Sequence, residues 1–181
     1  MFSMYYGYAN IEIVRLLLNT GAKPNARDPY GRTALMMASD GQAGNDRADV
    51  VRALLEKGAD PKAKDNSGNT ALTEAIRRGY LKTVQVLLQR GVDPNDQASD
   101  DGPPRVRKPY KTTPLMMACK GGYTEMVRAL LDHGANPNTS VNLGRDHNSE
   151  VDEYANALDF AKGHPEIERL LIAEGAKALQ N

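Results

Sequence analysis

Residues Gly68–Asn95, GNTALTEAIRRGYLKTVQVLLQRGVDPN, decide the fold, because similar segments recur before and after them in the sequence. Thr70 is suited to capping a short helix, since its hydroxyl can accept a hydrogen bond from a first-turn amide. A second helix follows, and its apolar stripe is formed by Val84, Leu87 and Leu88. Gly91 favours the left-handed conformation that ends a helix, and Pro94 cannot continue one. The segment therefore predicts two short helices followed by a turn.

The same signals recur along the chain. The predicted helix caps are Thr33, Thr70, Thr113 and Asn156. The predicted helix-ending glycines are Gly21, Gly58, Gly91, Gly134 and Gly175, and a proline follows three residues after each of the first four. Repeats of this length are typical of solenoids, in which each unit buries its apolar face against its neighbours.

Two recurring segments resemble the signatures of the ankyrin repeat family. TALMMA, TALTEA, TPLMMA and NALDFA are similar to the family's TPLHxA, and VVRALLEKGAD, TVQVLLQRGVD, MVRALLDHGAN and IERLLIAEGAK are similar to its VVxLLLxxGAD. The resemblance implies an all-α solenoid of stacked helix-turn-helix units joined by β-hairpin-like fingers. It also implies a concave surface, made by the fingers and the short inner helices, that binds another protein.

We predict a single ankyrin repeat domain over residues 1–181. Its units cover about 1–28 (incomplete), 29–65, 66–97, 111–138 and 154–181, with long finger insertions at 96–112 and 139–155. The turns DPYG and DNSG, which begin at Asp28 and Asp65, are predicted to form the tips of the short fingers.

Composition excludes several classes of function. The 181 residues carry no net charge, which gives nothing to attract nucleic acid or an anionic membrane. The chain lacks an apolar run of membrane-spanning length and a secretory signal, so we expect a cytoplasmic protein. The single cysteine, Cys119, rules out an internal disulfide, and its place on a predicted inner helix favours a buried side chain over a reactive thiol.

The first unit is predicted to be incomplete. Its outer helix is present, with an inward face formed by Ile13, Val14, Leu17 and Leu18, but only FSMYYGY stands where an inner helix belongs. Three explanations remain open: a compact aromatic cap, a chain shortened from a longer array, and an end-to-end contact.

Three insertions depart from the repeat. Four extra residues in DGQAGND, which starts at Asp40, indicate a flexible loop, either a tolerated insertion or a site. The two later fingers are equally long and are expected to lie side by side. One finger is basic through Arg105, Arg107, Lys108 and Lys111, and the other is acidic through Asp146, Glu150, Asp152 and Glu153. Either these halves attract each other, or both fingers are independently solvated.

The sequence carries no signature of catalysis. DQASDDG fails as a calcium loop, because Gln97 and Lys108 fall where carboxylates are required. The three histidines have no metal-ligand spacing, and neither a phosphate-binding loop nor a nucleophile elbow occurs. We therefore predict a protein that is not an enzyme and that has no metal and no cofactor.

The family pattern assigns the partner-binding positions to finger residues and to the exposed side of the inner helices. These are Arg27, Tyr30, Arg32, Met37, Lys64, Asn66, Asn69, Glu74, Arg77, Arg105, Arg107, Tyr110, Met117 and Phe160. Met37 and Met117, each preceded by another methionine, are expected to offer adaptable apolar surface.

We predict a non-catalytic protein-interaction module whose partner is another protein. The protein is expected to be a monomer, with end-to-end self-association as an alternative. Two other functions remain open: a structural or assembly fragment of a longer repeat array, and an ankyrin protein that regulates an enzyme as an inhibitor or immunity-type protein.

Overall fold

The structure is a computed structural model that describes residues 10–41, 45–100, 110–145 and 152–179. Residues 1–93 and 94–181 form two compact units. Among the described residues, no helix combines the length and the apolar character needed to cross a membrane.

The first unit consists of short helices joined by turns. Its helices are α1 (Ile11–Asn19), α2 (Ala34–Asp40), α3 (Ala48–Glu56), α4 (Ala71–Arg78) and α5 (Leu81–Gln89). Helix α2 packs against α4, while α3 lies between α1 and α5. The centre of the core is formed by Leu35, Val51, Leu54, Leu72, Ile76 and Leu87, each at most 1% exposed. Leu72, Ile76 and Leu87 lie on the two helices predicted within Gly68–Asn95, so the helix-turn-helix arrangement is confirmed there.

The second unit combines helix pairs with two hairpins. Its elements are β1 (Ala98–Asp100), β2 (Tyr110–Thr112), α6 (Pro114–Lys120), α7 (Thr124–Asp132), β3 (Val141–Arg145), β4 (Asp152–Ala155), α8 (Ala157–Phe160) and α9 (Pro165–Ala173). Helices α7 and α8 each pack against both α6 and α9. The outer helix of the last repeat begins at Pro165.

The two hairpins are the long fingers that the sequence predicts. Strands β1 and β2 are antiparallel, with Ala98 opposite Thr112. Strands β3 and β4 are also antiparallel, and their register shifts between Asn142 and Gly144. Strand β2 lies beside β3, which confirms that the fingers are neighbours.

The charged halves of the fingers lie largely outside the described residues. Arg105, Arg107, Lys108, Asp146 and Glu150 belong to the ranges 101–109 and 146–151, which are not described. Their mutual attraction therefore stays a prediction.

The predicted caps are confirmed. Each cap side chain accepts a hydrogen bond from an amide of its own helix, 3.4 Å from Met36 N at Thr33 and 3.0 Å from Leu158 N at Asn156. At Thr70 the cap is reciprocal, because the Thr73 hydroxyl accepts from Thr70 N at 2.9 Å. These helices therefore begin where local sequence alone places them.

Both short finger turns are also confirmed. Gly31 N donates to Asp28 O at 2.9 Å, and Gly68 N donates to Asp65 O at 3.0 Å. Gly31 has φ +77°, and a side chain there would collide with Asn66. Glycine is therefore required at this position both by the backbone conformation and by the neighbouring finger.

Asparagines after three of the turn prolines bridge consecutive repeats. Asn25 Nδ2 donates to Gly58 O at 2.9 Å, and Asn25 Oδ1 accepts from Asp60 N at 2.7 Å. Within the second unit, Asn95 bridges in the same way to Gly134 O and Asn136 N, and Asn138 to Gly175 O and Lys177 N. Sequence analysis did not predict these bridges.

The connection between α2 and α3 is fixed at both ends to the next helix pair. Asp40 pairs with Arg78 at 2.6 Å, and Tyr80 donates its hydroxyl hydrogen to Gly41 O at 3.1 Å. Asp46 accepts hydrogen bonds from Lys82 N at 2.8 Å and from the Thr83 hydroxyl at 2.6 Å. Of the loop predicted to be flexible, DGQAGND, residues 42–44 lie outside the described residues.

Helix α1 corrects one expectation. Ile13 and Leu17 were expected to face inward, yet they are 46% and 41% exposed, and only Val14 of this helix is buried. The equivalent residues of α3, Val50 and Leu54, are 1% exposed. Helix α3 packs against the inner helix α2, whereas no helix of the described residues precedes α1.

Candidate functional site

The finger tip between α1 and α2 is organised by Asp28. Its Oδ1 accepts hydrogen bonds from Tyr30 N at 2.9 Å and from Arg32 N at 2.8 Å, while Oδ2 pairs with Arg32 Nε at 2.8 Å. Burial raises the pKa of Asp28, but the hydrogen bonds and charge of Arg32 outweigh it, so this pKa lies below its usual value. The tip is thus fixed by a carboxylate that stays ionised.

Tyr30 projects from this tip and is 67% exposed. The guanidinium carbon of Arg32 lies 5.3 Å from the centre of the Tyr30 ring, in a cation–π contact. The neighbouring finger supports the same loop, since Asn66 N donates to Tyr30 O at 3.0 Å and Asn66 Nδ2 to Pro29 O at 3.2 Å. The structure therefore holds a large aromatic side chain in place at the surface.

Arg27 joins two adjacent fingers. Its Nη1 donates to Gly31 O at 2.8 Å and to Lys64 O at 2.6 Å, so the guanidinium group ties one finger to the next. Asn66 acts in the same way. Both residues position the fingers, and their contact with a partner stays a prediction.

A second group of predicted residues lies on α4 and just before it. Arg77 pairs with Glu74 Oε1 at 2.8 Å and also donates to Asn69 Oδ1 at 3.4 Å. Burial raises the pKa of Glu74, Arg77 lowers it, and the charges of Asp40 and Asp65 raise it further, so that the pKa lies above its usual value. Several carboxylates therefore act on one another here.

A small cavity joins the two groups. It has a volume of about 50 Å³ and is lined by Arg32, Met36, Met37, Asp40, Asp65 and Glu74. Because Arg32 and Glu74 both line it, the tip residues and the α4 residues form one continuous surface. We call Tyr30, Arg32, Asn69, Glu74 and Arg77 the finger surface.

The methionines do not offer the open surface that we expected. Met37 is 8% and Met117 is 7% exposed, and the methionine before each is more deeply buried. Close packing of adjacent short helices leaves little room at these positions. Met37 reaches the surface only as part of the cavity floor.

Among the described site residues predicted in the second unit, Tyr110 and Met117 are buried and Phe160 is half-buried. Tyr110 is only 6% exposed and stacks on Phe160, with ring centres 6.1 Å apart and ring planes at 17°. Expecting Tyr110 on the surface was therefore wrong, because its ring packs against Phe160 of α8. Arg105 and Arg107 lie outside the described residues.

No reactive group of the described residues suggests catalysis. Cys119 is fully buried, and burial raises the pKa of its thiol to about 12, which confirms that it is a core side chain. Across the described ranges, the His, Cys, Asp and Glu side chains form no group of three able to hold a metal ion.

The family model described as ankyrin repeats (3 copies) matches residues 1–98 and 101–181. The protein therefore belongs to the ankyrin repeat family. A comparison with curated proteins gives no match.

Proposed function

We propose that the protein is a non-catalytic interaction module that binds another protein through the finger surface. Ankyrin repeats in general are protein-protein interaction modules. The observation that carries the proposal is Tyr30, which is 67% exposed although its loop is held by hydrogen bonds from both sides.

An ordered, exposed tyrosine is suited to recognition. Tyrosine and arginine dominate the binding energy of many interfaces. Tyrosine has few rotatable bonds, so it loses little conformational entropy when a partner covers it. Tyr30 and Arg32 are already stacked. Binding would therefore require little further ordering of these side chains.

To test this proposal, a partner protein is captured from the native host and purified, and its binding is measured. Calorimetry would compare Tyr30→Ala with Gln85→Ala, an exposed position on α5 away from the fingers. We expect Tyr30→Ala to weaken binding by about 2 kcal/mol, as at a typical hot spot, with melting temperature unchanged. Equal affinities for Tyr30→Ala and Gln85→Ala would refute the assignment of the finger surface. If the partner is an enzyme, its activity with and without the protein tests the regulatory alternative.

A second candidate function, an assembly element, is favoured by the exposed face of α1. Ile13, Leu16 and Leu17 are 46%, 63% and 41% exposed, whereas the equivalent Val50, Ala53 and Leu54 of α3 are buried. Exposed apolar patches of this kind often mark association sites. Here the face matches one that the neighbouring unit covers elsewhere.

Sedimentation equilibrium tests the assembly function. Association that rises with concentration and is abolished by Leu16→Glu would support it, with Asn19→Glu, at an exposed polar position of the same helix, as the charge-matched control. A monomer at every concentration would refute self-association through this face.

A further inference from the structure

The cavity between α2 and α4 has the size of a small planar group. A water molecule needs about 10–15 Å³ of such volume, so about 50 Å³ holds roughly three to five water-sized groups. The guanidinium group of arginine is of this size. Two residues of the finger surface, Arg32 and Glu74, line the cavity.

The floor of the cavity is apolar. Met36 and Met37 line it and are only 2% and 8% exposed, so their thioethers are fixed in the core. Sulfur is polarisable, and a guanidinium face is weakly hydrated, so the two surfaces are suited to contact. A strongly hydrated ammonium group gains less from such a floor.

The wall of the cavity is acidic. Asp40 and Glu74 have side chains that are 18% and 17% exposed, and each is paired with an arginine outside the cavity. Asp65 instead accepts hydrogen bonds from the neutral amides of Ser67 and Asn69.

The charges in and around the cavity do not balance. The lining residues and their paired groups include the carboxylates Asp28, Asp40, Asp65 and Glu74, and the guanidinium groups of Arg32, Arg77 and Arg78. This set has one more negative than positive charge. Burial is the main cause of the raised pKa of Glu74, and the charges of Asp40 and Asp65 raise this pKa further.

We propose that this cavity binds an arginine side chain presented by the partner protein. The guanidinium plane lies on Met37, and its N–H groups donate to carboxylate oxygens of Asp40, Asp65 and Glu74. Arginine fits better than lysine, because its flat fork combines several donors with a face that tolerates an apolar floor. This inference rests on the proposed function, since a partner on the finger surface would deliver the arginine.

Methionine-methyl NMR tests the inference without the partner. The protein, labelled at its methionine methyl groups, is titrated with the peptide acetyl-Gly-Arg-Gly-amide, and in parallel with the same peptide containing citrulline, the neutral analogue of arginine. We expect saturable shifts of the Met36 and Met37 signals, with binding of the citrulline peptide about tenfold weaker, because charged hydrogen bonds are lost. Met116 and Met117 of the second unit serve as internal controls.

Three results would overturn the inference: no saturable shift, equal binding of the arginine and citrulline peptides, or equal shifts at all four methionines. Ca²⁺ is titrated separately, and shifts of the same size at Met36 and Met37 would point to a simple cation site and also count against it. Glu74→Gln should weaken arginine binding about tenfold. Asp40→Asn is the second variant if Glu74→Gln loses the folded methionine spectrum.

The peptide titration and the calorimetry can refute the arginine site and the finger surface separately. If the peptide does not bind while Tyr30→Ala still weakens the partner, only the arginine assignment falls. If the peptide binds but Tyr30→Ala has no effect on the partner, the cavity stands and the finger surface does not.

Discussion

The asparagine bridges predict that one substitution at Lys62 stabilises the first unit. Lys62 follows Pro61 just as Asn25 follows Pro24, so it holds the position from which asparagine bridges the repeats elsewhere. The next turn has the required conformation, since Gly91 has φ +73° and its counterpart Gly58 has φ +83°. In Lys62→Asn, we expect the introduced side-chain Nδ2 to donate a hydrogen bond to Gly91 O and the side-chain Oδ1 to accept one from Asp93 N.

The size of the effect follows from the existing bridge at Asn25. That bridge consists of two hydrogen bonds, of 2.9 Å and 2.7 Å. A protein hydrogen bond contributes about 0.5–1.5 kcal/mol net, and solvent exposure favours the lower part of that range. Lys62→Asn should therefore add about 1–2 kcal/mol to the free energy of unfolding, and Asn25→Ala should remove a similar amount. For a chain of this length, each 1 kcal/mol corresponds to a change in melting temperature of about 2–4 °C.

Urea unfolding followed by circular dichroism measures both changes, and an unchanged m-value shows that the same surface is exposed. Lys62→Ala is the control, because it removes the lysine without adding an amide side chain. Hydrogen exchange should slow in α4 and α5 if the gain lies where we place it. If Lys62→Asn is no more stable than Lys62→Ala, the bridges do not stabilise the repeats in the way the geometry suggests.

Three further predictions concern side chains of the core and the connections. Tyr110→Ala should lower the free energy of unfolding by about 3 kcal/mol, measured by urea unfolding, whereas Tyr154→Ala, at a residue that is 56% exposed, should cost under about 1 kcal/mol. Asp46→Ala should cost about 1–2 kcal/mol because it removes the cap of α5, and Asp49→Ala on the exposed side of α3 should cost little; equal losses in thermal unfolding would contradict this. Cys119 should react with a thiol reagent at about pH 8 only after unfolding, and reaction of the native thiol would refute its burial. Because folding raises the pKa of this thiol from 9.0 to about 12, the stabilisation from its burial should be complete below pH 9.0 and be lost as the pH rises to about 12.

The parts of the fold that the sequence predicted are those with local causes. A threonine cap, a left-handed glycine and an aspartate turn each act within about four residues, so Thr70, Gly91 and Asp28 could be assigned directly. The Asn25 bridge and the Asp46 cap join residues 33 to 37 positions apart. No local pattern specifies such partners, which is why both were missed.

The errors at the site have one physical cause. The family pattern indicates which helix face a residue occupies, but not how much of that face the adjacent repeat covers. At Met37 and Tyr110 the neighbour covers nearly all of it, and the exposed fractions fall to 8% and 6%. Tyr30 was assigned by the same reasoning and is 67% exposed, because the neighbouring finger binds the backbone of this tip and leaves the ring uncovered.

The predicted finger residues fall into two groups, according to whether their side chains already bind the adjacent finger. Arg27 and Asn66 hydrogen-bond to backbone atoms of the adjacent finger, so replacing either should lower stability and partner affinity together. Tyr30 makes its backbone contacts through its own main chain, which alanine retains, so Tyr30→Ala should lower affinity alone. Measuring stability and affinity on the same variants therefore separates residues that build the surface from those that a partner touches. Because the building residues keep Tyr30 and Arg32 in place before any partner arrives, binding there should lose little conformational entropy.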